Sequence, residues 1–86
     1  MTLDRLESGT QARIVAVAWE RLAEDEAKRL RALGVDEGAE LEVLHRGGFG
    51  TRDPLAIRLG RMTVALRRAH AAAISIETVA AEASAP

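Results

Sequence analysis

The spacing of apolar residues changes from helical to strand-like near the middle of the chain. Leu30 and Leu33 are three residues apart, as the inward face of a helix requires, and Gly34 follows at a position suited to a left-handed helix end. After Gly38, apolar and polar residues alternate with the period of two that is typical of a strand. We therefore predict a helix that ends at Gly34, a short turn, and a strand over residues 39–45.

The start of this helix is predicted from its charges. If the helical pattern is extended back to Trp19, the carboxylate of Glu26 falls within the apolar arc. A helix that begins near Ala23 places three acidic residues, 24–26, in the first turn, where the helix dipole favours negative charge. We expect this later start.

Four more strands and a helical turn are predicted from the remaining alternation. The strands cover residues 12–17, 55–59, 62–66 and 74–77, and the helical turn covers residues 68–72. Gly60 and Arg61 predict a two-residue hairpin turn. The core is predicted to include Met62, Val64, Leu66, Ile74 and Ile76. Five short strands in 86 residues favour a small, strongly bent antiparallel barrel.

Composition excludes several classes of function. A chain of 86 residues forms one domain, which we expect over residues 1–80, followed by a disordered tail over residues 81–86. The 12 basic and 13 acidic residues nearly cancel, and two aromatic residues give no stacking platform, so we expect no nucleic acid partner. Without cysteine there is no disulfide or thiolate metal site. No apolar run approaches the ~18 residues that span a bilayer, and we expect a cytoplasmic protein.

Four groups of residues, in this order and spacing, resemble the FeoA family over roughly residues 3–79. These groups are Leu6-x-x-Gly9, Arg29-Leu30-x-x-Leu33-Gly34-Val35-x-x-Gly38, Asp53-Pro54-Leu55 and Val64-Ala65-Leu66-Arg67-x-Ala69-x-x-Ala72-x-Ile74. The resemblance implies a small SH3-like antiparallel β-barrel of about five strands, with one helix between the first two strands and a short helical turn before the last. The same domain type is found at the C-terminus of iron-dependent repressors. The chain departs from the family pattern in the glycine-rich stretch 47–52.

The resemblance also implies a function in bacterial ferrous iron uptake. On this reading the chain is a non-enzymatic accessory protein that binds the cytosolic GTP-binding part of the FeoB transporter and modulates its assembly or activity. Its association with the membrane would then be peripheral, through that partner. An alternative reading is a transition-metal-binding sensor domain related to the module of the repressors. Neither reading requires a resident cofactor, although transient binding of divalent iron is compatible with both.

Two sets of candidate site residues follow. For partner binding we expect cations of the helix together with a loop aromatic and its neighbouring arginines, because arginine and aromatic residues are enriched at contact hot spots. These residues are Lys28, Arg29, Arg31, Arg46, Phe49 and Arg52. For the metal-binding alternative, the expected ligands are the two histidines and one carboxylate: His45, His70 and Asp53. The ordinary alternatives are solvated charges and structural histidines.

The sequence contains no recognisable catalytic motif. The stretch 47–50 is rich in glycine, but no lysine followed by Ser or Thr comes after it, so it does not match a P-loop. No Ser or Thr has an evident base and orienting acid nearby in the pattern. A small hydrolase remains only a formal alternative, and residues 45–54 are predicted to form an irregular, mobile loop.

Overall fold

The computed structural model describes residues 1–45 and 54–79. The five strands are β1 (Gln11–Val17), β2 (Glu40–His45), β3 (Leu55–Leu59), β4 (Met62–Leu66) and β5 (Ile74–Thr78). The two helices are α1 (Glu24–Leu33), between β1 and β2, and α2 (Arg68–Ala71), between β4 and β5. Short 3-10 turns cover Leu3–Arg5 and Trp19–Arg21. The predicted order of strands and helices is confirmed, whereas the separate turn at Trp19 was not predicted.

The strands form one antiparallel sheet in the order β4-β3-β2-β1-β5. The predicted antiparallel architecture is thus confirmed. Within the described residues, no pairing of β4 with β5 closes this sheet into a barrel, so both strands lie at its edges. The helices do not interrupt the sheet because each occupies a connection between two strands.

An irregularity in β1 changes which side chains face the core. Ile14 pairs with Ile76, but Ala16 pairs with Ser75, so β1 carries an extra residue at this point. Simple alternation through this strand would bury Ala16 together with Ile14. Ala16 is exposed, and Val17 is buried instead. The bulge shifts the inward face by one residue, so Val15 and Ala16 are exposed in succession.

The end of α1 has the hydrogen-bonding pattern of a Schellman motif. The Gly34 N–H donates to the Arg31 carbonyl at 3.0 Å, and the Val35 N–H donates to the Leu30 carbonyl at 2.9 Å. Gly34 has φ +102°, a conformation that glycine adopts without the steric cost of a Cβ. Leu30 and Val35, which flank the motif, are both fully buried. The glycine therefore ends the helix and directs the chain back into the core.

The core lies between the inner face of the sheet and the helices and turns that cover it. Its largest fully buried side chains are Leu3, Ile14, Leu30, Leu55, Ile57, Leu66 and Ile74. Four of the five core residues predicted in β4 and β5 are buried, but Met62 is 42% exposed. Met62 lies next to the Gly60–Arg61 turn, at the end of an edge strand, where fewer neighbours cover it. No helix among the described residues is long and apolar enough to cross a membrane.

Candidate interaction surface

The junction between α1 and α2 is organised around the carboxylate of Glu26. Arg29, one turn further along α1, donates from Nη2 to Oε2 at 2.8 Å and from Nε to Oε1 at 3.2 Å. This two-point contact is a bidentate arginine–carboxylate pair, which is stronger than a single hydrogen bond. The Glu26 side chain is only 18% exposed, so the residue that disturbed the apolar arc in the sequence lies at the edge of the buried face.

His70 of α2 approaches the same carboxylate. Its Nδ1 lies 3.1 Å from Glu26 Oε2 but makes no hydrogen bond within the described part of the chain, although this nitrogen is shielded from solvent. The contact therefore has the distance of an ion pair without the alignment of a hydrogen bond. It attracts α2 towards α1 when the imidazole is protonated.

The positive charges at this junction lower the pKa of Glu26. The largest cause is the hydrogen bond from Arg29, and the charges of Arg29, His70 and Arg67 act in the same direction, while burial opposes them. The same hydrogen bond raises the pKa of Arg29. Glu26 is therefore ionised at neutral pH and forms an ion pair with Arg29.

The cations predicted to share one face of α1 are divided by the structure. Arg31 lies over the ring of Trp19, with its guanidinium carbon 4.3 Å from the ring centroid. On a helix of 100° per residue, Arg29 and Arg31 lie roughly 160° apart, and Lys28 lies between them on the exposed side. Arg29 is engaged by Glu26, so Lys28 and the Arg31–Trp19 pair remain as the exposed cationic part of α1.

The other predicted site residues lie wholly or partly outside the described part of the chain. This holds for Arg46, Phe49, Arg52 and Asp53, and for the side chain of His45. Among the described residues, no three His, Cys, Asp or Glu side chains come together to hold a metal ion. The predicted ligand set therefore stays a prediction.

The outer face of the sheet carries a set of paired charges that sequence reasoning missed. Arg13, in the central part of β1, contacts Glu77 at 3.0 Å on one side and Glu40 at 3.5 Å on the other. These are its register partners on β5 and β2. Arg58 and Glu42, also register partners, lie 3.7 Å apart. The sequence does show charged residues at the polar positions of these strands. Which of them form ion pairs depends on the strand register, which the sequence pattern does not give. The surface largely neutralises its own charge.

Known proteins share this fold and the sequence pattern that builds it. The profile of the FeoA domain matches residues 1–78. No curated protein sequence matched the chain. Among solved structures, the FeoA protein from Chlorobium tepidum is 30% identical with a TM-score of 0.81, over 93% of this chain and 71% of that one.

Two further structures extend the comparison. FeoA from Stenotrophomonas maltophilia, solved in complex with zinc and described as a prokaryotic SH3 domain protein and a candidate activating factor of ferrous iron transport, is 32% identical. Its TM-score is 0.72, over 90% of this chain and 89% of that one. The IdeR protein of T. acidophilum shares the fold, with a TM-score of 0.75 at 16% identity, over 92% of this chain and 34% of that one. The SH3-like fold is thereby confirmed, and the chain belongs to the FeoA family of ferrous iron transport proteins.

Proposed function

We propose that this chain is a non-enzymatic accessory protein of ferrous iron uptake that works in the cytoplasm by binding the cytosolic GTP-binding part of a FeoB-type transporter. The observation that carries the proposal is the match of the FeoA domain to residues 1–78, nearly the whole of the described structure. The description of the S. maltophilia relative as a candidate activating factor of iron transport supports the same role.

The exposed part of α1 supports a role in protein contact. Arg31 is held over Trp19, so its guanidinium is already oriented, and Lys28 is exposed beside it. A restrained arginine next to an aromatic ring loses less side-chain entropy on binding than a free one. Tryptophan and arginine are also the residues most enriched among binding hot spots. We infer that Lys28 and Arg31 contact acidic groups of the partner.

The α1–α2 junction supports a structural role for its charges over a catalytic one. His70 faces a carboxylate whose oxygens already accept two hydrogen bonds from Arg29. A general base needs a carboxylate or imidazole that is free to take a proton from a substrate. The arrangement is better suited to holding the short helix α2 against α1.

Calorimetric titration tests the proposal. The full chain is titrated with the purified GTP-binding domain of the FeoB transporter from the same genome, in its nucleotide-free, GDP-bound and GTP-bound states. We expect saturable binding in at least one state, weakened about fivefold or more by Lys28→Ala combined with Arg31→Ala. Arg58→Ala, which removes a cation on the outer face of the sheet, is the control and should leave the affinity unchanged. Absence of binding in all three states would overturn the proposal.

The metal-sensor alternative is supported by the shared fold with the repressors and by the zinc complex of the S. maltophilia relative. The described surroundings of His70 fit a divalent cation poorly, because Arg29 occupies the neighbouring carboxylate at 2.8 Å and brings positive charge to the same place. Titration of the chain with ferrous iron under anaerobic conditions tests this alternative. Heat from iron alone, without binding to the GTP-binding domain, would favour the sensor.

A further inference from the structure

The two edges of the sheet are treated differently by the rest of the chain. The outer edge of β5 is paired with the first residues: the Ile76 N–H donates to the Met1 carbonyl at 2.8 Å, and Thr2 forms an antiparallel bridge with Ser75. At the opposite edge, β4 pairs with β3 and with no other segment among the residues that the structure describes. Within residues 1–45 and 54–79, one edge is therefore covered, and the other has no second neighbouring strand.

The hairpin register shows which backbone groups this open edge presents. Leu59 pairs with Met62 across the two-residue turn, and in such a hairpin this pair exchanges both of its hydrogen bonds. Hydrogen-bonded pairs then recur at every second position, at Val64 and Leu66 of β4. The N–H and C=O groups of Thr63 and Ala65 consequently point away from β3. They form a ready pattern of donors and acceptors for an incoming strand.

Three devices that block an edge strand, namely charged residues, proline and a bulge, are missing from β4 itself. Its sequence, Met-Thr-Val-Ala-Leu, contains no charged residue and no proline. Its five consecutive pairs with β3 run without a register shift, so no bulge twists this strand away, in contrast to β1. A regular and uncharged open edge promotes pairing with another chain.

The charges at the two ends of β4 select the kind of chain that pairs. Arg61 precedes the strand and Arg67 follows it, and both are exposed. Neither forms an ion pair within the described residues, although the charge of Arg67 also lowers the pKa of Glu26. If two copies of β4 paired antiparallel about Val64, each Arg61 would face the Arg67 of the other copy. Like charges directly opposite one another destabilise a strand pair, so a second copy of this chain is disfavoured in the register that pairs the two strands over their full length. An extended segment with acidic residues at both ends is complementary.

We propose that β4 is a docking edge that adds an extended, acidic-ended segment of a partner protein to the sheet. Main-chain hydrogen bonds to Thr63 and Ala65 would hold the partner segment. Arg61 and Arg67 would pair with its two acidic residues and so fix its position along β4. The span from Arg61 to Arg67 is about 20 Å in an extended strand, which sets the distance between the two acidic residues of the partner. The inference rests on the proposed function, since it describes how such a partner binds.

The test uses the full chain labelled with ¹⁵N and an acetylated, amidated heptapeptide with glutamate at both ends and alternating threonine and valine between them. We expect the largest amide shift changes at Thr63 and Ala65, together with slower hydrogen exchange of these two amides. The same peptide with lysine at both ends should bind at least about tenfold more weakly, because it meets Arg61 and Arg67 with like charge. Shift changes confined to other elements, or equal binding of both peptides, would overturn the proposal.

Variants of the edge separate backbone pairing from charge. Ala65→Pro removes an N–H that makes no hydrogen bond to β3, so it should abolish peptide binding while the protein stays folded, whereas Ala65→Ser keeps the N–H and should bind normally. If Ala65→Pro fails to fold, Arg61→Glu with Arg67→Glu still tests the charges and should reverse the preference between the two peptides.

If the FeoB domain binds the chain but the peptide does not, the edge proposal fails and the proposed function stands. If the peptide binds but the FeoB domain does not, the proposed function fails and the edge stands as a docking site for another partner.

Discussion

Arg31 lies over the ring of Trp19, with the guanidinium carbon 4.3 Å from the ring centroid. The contact joins the 3-10 turn after β1 to the last turn of α1, two separate segments, in agreement with the predicted helix start near Ala23. It also gives Arg31 a fixed position on α1, apart from Arg29, which is paired with Glu26. Both its energy and its effect on the helix can be measured.

A double-mutant cycle measures the coupling between these two side chains. We expect Trp19→Ala and Arg31→Ala to be non-additive in their effects on the free energy of unfolding, with a coupling of about 0.5–1 kcal/mol, because the site is partly exposed. Urea unfolding of the wild type, both single variants and the double variant provides the measurement. The control is the pair Trp19→Ala and Arg58→Ala, which should be additive. A coupling of zero for Trp19 and Arg31 would show that the contact does not stabilise the protein.

The ion pair between Glu26 and Arg29 predicts a pH dependence of stability. The pKa of Glu26 is lowered in the folded chain below its ordinary value of 4.5. Its contribution to stability is therefore fully present above the pKa of the unfolded chain and is lost as the pH falls through the lowered pKa of the folded state. We expect Glu26→Gln to destabilise the protein near neutral pH by up to about 1 kcal/mol, with the difference from wild type shrinking towards acidic pH.

Stability curves from pH 3 to pH 7, measured by urea unfolding, test this expectation. Glu24→Gln is the matched control: Glu24 lies in the same first turn of α1 but makes no contact with Arg29 within the described residues. It therefore reports the helix-dipole effect alone. If Glu26→Gln and Glu24→Gln give parallel curves, the pairing with Arg29 and His70 contributes nothing measurable.

Two apolar residues of β4 should differ sharply in their importance for stability. Leu66 is fully buried, whereas Met62 is 42% exposed. We expect Leu66→Ala to lower the free energy of unfolding by about 2–4 kcal/mol through lost apolar contact and a residual cavity. Met62→Ala should lower it by less than about 1 kcal/mol. Equal losses in urea unfolding would mean that Met62 is covered in solution.

The left-handed end of α1 predicts a cost for any side chain at Gly34. An ideal Cβ there would lie 3.7 Å from Leu59 Cδ2, an ordinary contact, so space is not the obstacle. The φ of +102° is the obstacle, and we expect Gly34→Ala to destabilise the protein by about 1–2 kcal/mol. Gly34→Asn should cost less, because asparagine tolerates this region better. Thermal unfolding distinguishes the two variants, and a larger loss for Gly34→Asn than for Gly34→Ala would point to side-chain volume as the cause.

Much of the fold was predictable because its signals are local. The period of apolar residues predicted every strand and both helices, and Gly34 marked the end of α1 through its residue type and position alone. The acidic first turn, from Glu24 to Glu26, correctly placed the start of the helix. Each of these signals depends only on neighbours within a few residues, so the order of the amino acids alone carries the information.

The sequence by itself thus determined the elements, their order and, through its resemblance to a family, the field of biology in which this chain acts. Only the tertiary structure decided which groups meet: that His70 lies against Glu26, that Arg13 lies between two glutamates, and that Ala16 and Met62 face solvent. These outcomes depend on strand register, on one extra residue in β1, and on how far each strand end extends beyond the core. Such features arise when elements distant in the chain pack together, and a local pattern contains no record of them.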